Sequence, residues 1–199
     1  MSKLAVLDDL LAHYYQLAYH TRPDILSRLQ DVQAWQKVRM QRTHRAHFAE
    51  KQNLLMSEYF LNRLYGGADF DALAEQIARL MKYAHKAEKV IPENAIKTGT
   101  SGVELAILAV QLDEQVAIQL LQDYHPHEPL TDEMMRLTYL KLDQGEARLK
   151  QLALLDQLGM SLDKYMRSFV VYTAFKMCKG AANKYNFQVM YEFMQDGFL

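Results

Sequence analysis

Glycine and proline are scarce in this chain, eight and four among 199 residues. These are the two residues that most disfavour a helix interior, one through backbone entropy, the other through a lost N–H and a ring clash. Here they fall at Pro23, Gly66-Gly67, Pro92, Gly99, Gly102, Pro126, Pro129, Gly145, Gly159, Gly180 and Gly197. The pieces between them are of helix length. No piece alternates apolar and polar residues between turn signals as a strand does, and Asp196-Gly197 stands at the very end of the chain. The expectation is an all-α, single-domain multi-helix bundle over residues 1–199, with about seven helices and no internal repeat.

The punctuation places these helices. The first runs from about Lys3 to His20. Thr21, Pro23 and Asp24 open the second, which meets no breaker before Gly66 and so requires a kink or break within it. The third spans Phe70 to Ile91 behind Asp69. Thr98 to Gly102 read as a loop, with Ser101 and Glu104 as a capping box that starts a fourth helix reaching Asp123. His125-Pro-His-Glu-Pro129 is a stiff loop, and Thr131 caps a fifth helix that Gly145 bends or breaks and Gly159 ends. Ser161 caps a sixth helix to Lys179, and a last one runs from Ala182 to Asp196. The sixth carries Tyr165, Met166, Phe169, Val170, Val171, Tyr172, Phe175 and Met177 around most of its circumference. A helix apolar nearly all round is usually interior, so residues 161–179 are expected at the centre of the bundle.

Charge and cysteine content narrow the function classes. Lys and Arg number 23 against 24 Asp and Glu, a balance that argues against general nucleic-acid binding. A single cysteine, Cys178, excludes an intramolecular disulfide and a thiolate-rich metal site, and it fits a reducing, cytoplasmic setting. Asp8 and Asp9 interrupt the first apolar stretch, so no signal peptide is expected, and no apolar run reaches the ~18 residues of a membrane span.

Tyr59-Phe-Leu-Asn-Arg-Leu-Tyr65, followed by Gly66-Gly67-Ala68-Asp69-Phe70, resembles the bacterial family named for its Phe-Phe-Leu-Glu-Glu-Leu-Tyr motif, in which Gly-Pro-x-Asp-Phe typically follows. Lys179-Gly180-Ala-Ala and the stretch from Tyr191 to Phe198 resemble that family's closing region. Asn62 and Arg63 stand where the motif has its two acids. The resemblance implies an all-helical fold and a bacterial origin, and it carries over no catalytic residue. Physically, the block reads as a folding corner: a helix ending at Tyr65, a left-handed turn at the glycines, a cap at Asp69, and Phe60 against Phe70.

Polar residues on apolar faces supply the site candidates. At about 100° per residue, Ile25, Leu29, Val32, Gln36, Met40, Thr43, His47, Glu50, Leu54, Glu58, Leu61 and Tyr65 share one face of the second helix. The ends of this stripe are apolar and its middle is polar, so the middle projects into solvent, rotates away at a bend, or joins a buried network. Asp113 sits in the dry arc of the fourth helix beside Ala106, Val110 and Ala117. A buried acid requires a partner, for which Arg39, Arg42, Arg45 and His47 are the candidates. His44, His47 and Glu50 are weak metal candidates, since a di-iron bundle uses two Glu-x-x-His sets and this is one reversed set. No cofactor follows from such spacing. Ser57, Ser101, Ser161 and Ser168 lack a nucleophile-elbow context, and Gly99-Thr-Ser-Gly102 lacks the lysine of a phosphate loop.

No catalytic constellation emerges. The favoured expectation is a non-enzymatic binding protein that meets an acidic protein or anionic ligand through Arg39, Arg42 and Arg45, three arginines fanned over about a third of one helix. The alternative is a bundle enclosing a small ligand or metal near His47, Glu50 and Asp113. Faces rich in Tyr and Met also make a homo-oligomer plausible.

Overall fold

The computed structural model describes residues 2, 4–50, 54, 58, 60–66, 70–87, 89, 93–166 and 168–197, with the side chains of 47, 48, 60, 64, 70, 87, 162, 163, 165, 166, 170 and 197 left aside. The fold is all-α. Its helices are α1 (Ala5–Tyr15), α2 (Pro23–Thr43), α3 (Arg45–Ala49), α4 (Phe70–Ala87), α5 (Glu93–Asp123), α6 (Asp132–Leu142), α7 (Gly145–Met166), α8 (Phe169–Met177), α9 (Lys179–Lys184) and α10 (Gln188–Gly197). A 3₁₀ turn, Ala18–His20, joins α1 to α2, and a wide π-type turn, Phe60–Leu64, precedes Tyr65.

Helix α5 organises the molecule. Its 31 residues extend about 46 Å, and α1, α2, α6 and α7 all pack on it. Val116, Ala117 and Leu120 are fully buried there, against Tyr14 from α1, Ile25, Leu29 and Val32 from α2, and Met134 and Met135 from α6. A smaller cluster of Leu4, Leu7, Leu11 and Met81 ties α1 to α4.

The centre of the bundle is therefore not the segment 161–179. None of its described side chains is buried, and Phe169 and Met177 are 80 % and 81 % exposed. Helix α8 instead lies at the edge, held through α7, α9 and the stacking of Phe175 on Tyr191 of α10 at 4.4 Å. An apolar circumference states that a helix can be buried; what buries it is a long neighbour on several sides, and α5 has four.

The loop expected over Thr98–Gly102 is helix too. The Leu158 side chain packs over Gly102, 3.8 Å from where a Cβ would stand, which is an ordinary contact. Packing of this kind offsets the ~1 kcal/mol that a mid-helix glycine costs. Ser101 accordingly caps nothing. Gly159 does not end α7, and the Ser161 hydroxyl donates back to the Gln157 carbonyl at 2.9 Å in mid-helix; Ser168 is the cap of the next helix. The break near Gly145 is made by Asp143, whose left-handed φ of 48° closes α6. Two sequence-derived ends are observed as expected: Pro23 in the first turn of α2, and the Thr131 hydroxyl accepting from the Met134 N–H at 3.1 Å.

Helix α2 breaks at His44, so the long second segment is not one helix. Its apolar stripe is buried at Ile25, Leu29 and Val32 and then emerges, and residues 41–46 are all exposed. Thr43, Glu50 and Glu58 are exposed, so solvent projection explains these polar positions of the stripe. At the corner that follows, Gly66 takes the expected left-handed conformation, φ 55°. Asp69 and the side chains of Phe60 and Phe70 lie outside the described residues.

Candidate functional site

The exposed half of α2 carries a braced basic edge. Trp35 donates its indole N–H to Asp132 Oδ1 at 3.0 Å, and Arg42 donates to Asp132 Oδ2 at 3.1 Å. Asp132, in the first turn of α6, thus fixes two side chains of α2 at once. The Arg39 guanidinium lies 5.6 Å from the Trp35 ring centroid, within cation–π range. Arg39, Arg42 and Arg45 are all exposed. They do not fan over one helix, however, because Arg45 lies beyond the His44 break, in α3. Neither Arg39 nor Arg45 forms an ion pair with a described residue. His44 and Glu50 are exposed, and the His47 side chain lies outside the described residues. Among the described residues, no three of His, Cys, Asp and Glu gather as a metal-holding group.

Beneath this edge, Asp113 is completely buried. Its Oδ1 accepts from Arg148 Nη2 at 3.0 Å and from Gln36 Nε2 at 3.3 Å; its Oδ2 accepts from the Tyr65 hydroxyl at 2.5 Å. The cationic partner is thus Arg148 of α7, and not Arg39, Arg42, Arg45 or His47. Three separate segments, α2, the corner at Tyr65 and α7, converge on one carboxylate of α5. Burial pushes the Asp113 carboxyl above the usual carboxylate range, while Arg148, Tyr65 and Gln36 pull it back. Burial and the neighbouring carboxylate drive the Tyr65 phenol upward, and burial pushes that of Tyr139 up to about 12. These phenols remain protonated at neutral pH, and each Asp113 oxygen is already engaged. Gln144 completes the arrangement, donating to the Leu112 carbonyl at 3.1 Å and to Gln115 at 2.8 Å while accepting from Arg148 at 3.2 Å. Glu50 does not reach Asp113.

The corner glycine positions Tyr65. A Cβ at Gly66 would meet Gln33 Oε1 at 2.9 Å and its Cδ at 3.0 Å, in a backbone region that L side chains rarely adopt. The Gly66 carbonyl also accepts from Lys37 Nζ at 3.3 Å. Gly66→Ala is therefore expected to lower stability by roughly 1–3 kcal/mol, the left-handed penalty plus displacement of Gln33, seen as a fall in the urea midpoint. An unchanged midpoint would show that the corner does not hold Tyr65 in place.

Three further polar contacts escape a reading of the sequence. Glu114 is buried beside Asp113 and accepts the Tyr19 N–H at 2.7 Å, which anchors the 3₁₀ turn to α5. Tyr14 donates to Asp71, and the Tyr19 hydroxyl lies 3.0 Å from that of Tyr14 and 3.1 Å from Asp71 Oδ1. Arg28, also buried, donates to the carbonyls of Glu128 and His125 at 2.9 and 3.1 Å and so latches the His-Pro-His loop. The one signal near Arg148 is Gln144, four positions before it and immediately ahead of the leucine-rich α7, and it marks a polar start to that helix without saying where the helix meets α5.

A helical protein with a buried carboxylate paired to a half-buried arginine, and with a braced basic edge, is the class that fold and site define. The chain belongs to the family described as a domain of unknown function, DUF8198, whose model matches residues 16–199. No curated protein and no solved structure matches it. No described helix is long and apolar enough to cross a membrane.

Proposed function

We propose that this protein is a non-enzymatic binding module that docks an acidic segment of another protein along the basic edge of α2 and α3. The observation that carries this reading is the bracing of exposed charge. Asp132 holds Trp35 and Arg42, Trp35 underlies Arg39, and Arg45 continues the edge, so binding would immobilise side chains that are already partly ordered. The unpaired Cys178 supports a reducing, cytoplasmic setting. The Phe-Phe-Leu-Glu-Glu-Leu-Tyr resemblance supports a bacterial one. A ligand enclosed near His47, Glu50 and Asp113 has less support, because both oxygens of Asp113 already have partners.

Trp35 is the chain's single tryptophan, so its fluorescence reports this edge alone. Titration with a polyglutamate peptide at low salt is expected to give a saturable change, weakened as salt shortens the Debye length from ~10 Å at 0.1 M to ~3 Å at 1 M. R39E/R42E/R45E is expected to weaken binding by roughly tenfold or more. Equal affinity of that variant, or equally tight binding of a DNA duplex, would refute the acidic-protein reading.

A further inference from the structure

Helix α7 has a second face that no described residue covers. Leu149, Leu152 and Met160 are 68 %, 61 % and 65 % exposed. At about 100° per residue they lie on one line of the helix with Ala153 and Asp156. The other side of α7 faces α5, where Arg148 reaches Asp113 and Leu158 meets Gly102. The apolar line is thus separate from the buried contact and from the basic edge of α2, and the inference does not rest on that edge.

We propose that this face is the contact between two copies of the chain, with their α7 helices packed antiparallel about a two-fold axis near residues 154 and 155. Charge selects this pairing. In that register Leu149 of one copy lies over Met160 of the other, and Glu146 lies across from Lys164, twice by symmetry. Both charged residues are exposed, and neither has an ion pair among the described residues. Parallel pairing would set Glu146 on Glu146 and Lys164 on Lys164, a like-charge penalty at both ends. Gly145 and Gly159 border the face, and the space where their Cβ atoms would stand is open, so the two backbones can approach closely.

The buried area sets the strength. A buried leucine-sized side chain corresponds to roughly 60–120 Å², so three per copy remove roughly 400–700 Å² in total, below the ~1,200–2,000 Å² of a standard stable interface. The dimer is accordingly weak, and it forms and dissociates with concentration over the micromolar range.

Sedimentation velocity of the full chain, from a few to several hundred micromolar, is expected to show a monomer–dimer equilibrium. L149E/L152E is expected to abolish it, with an unchanged circular dichroism spectrum because both side chains are exposed. E146K alone and K164E alone are each expected to raise the dissociation constant about tenfold, and E146K/K164E to restore it. In a C178S background, chains carrying L149C mixed with chains carrying M160C are expected to form the mixed disulfide in preference to either self-disulfide. A monomer at every concentration overturns the proposal. So does a dimer indifferent to L149E/L152E, a double charge reversal that fails to rescue, or a dominant L149C self-disulfide.

Discussion

Arg148→Met is expected to cost the fold about 3–5 kcal/mol, since it strips the cationic partner from a carboxylate with no solvent exposure. Against a typical domain stability of about 5–15 kcal/mol, that is a large share of the total. The loss should depend on pH in a defined direction. Burial already holds the Asp113 carboxyl above the ordinary range, and Arg148 is the largest influence opposing it. Without Arg148 the carboxyl rises further in the folded state only. An acid whose folded value is raised contributes stability that is present below its unfolded value and is lost as pH climbs toward the folded one. The deficit of Arg148→Met relative to the parent should therefore be greatest at neutral pH and shrink on acidification toward the ordinary carboxylate range. Urea denaturation at a series of pH values measures it. The double variant D113L/R148M removes both charges, and it is expected to be more stable than Arg148→Met alone, although Tyr65 and Gln36 then lose an acceptor. A deficit under about 0.5 kcal/mol, or one that grows in acid, would show that the ion pair does not hold these helices together.

How far the sequence reveals this arrangement depends on the kind of information each residue carries. Asp113 is legible because amphipathic periodicity assigns its face from local spacing alone, and an acid in a dry arc stands out. Its partner is not legible. Arg148 lies 35 positions away on a helix whose own register gives no cue to where it meets α5. The nearby arginines of α2 are the natural guesses, yet the helix has turned them to solvent by residue 39. Caps behave the same way. Thr131 and Pro23 are local signals and hold. Ser101 and Ser161 have the same local chemistry, but tertiary packing of α5 on α7 carries both helices straight through. The glycines at 99 and 102 mislead for that reason: each favours a turn in isolation, yet neither is required by a close approach, and the helix runs through both because its neighbours pack on it.

Leu120→Ala and Phe169→Ala are expected to separate by several kcal/mol, which makes them a direct measurement of where the bundle has its centre. Both residues are large and apolar, and sequence alone favours the second, on the helix with the greasier circumference. Leu120 is completely buried on α5, in the cluster that joins α1, α2 and α6. Truncating it removes transfer free energy and leaves a cavity among side chains anchored on several helices, conditions under which the surroundings collapse poorly, so a loss of about 2–5 kcal/mol follows. Phe169 is 80 % exposed at the start of α8, and its truncation should stay within about 0.5 kcal/mol. Thermal or urea unfolding of the two variants, at one low protein concentration that keeps the chain monomeric, gives the comparison. A large loss at Phe169 with a small one at Leu120 would move the centre to residues 161–179, and with it the support for Arg148 and for the exposed line on α7, since both depend on α7 lying with one side on α5 and the other in water.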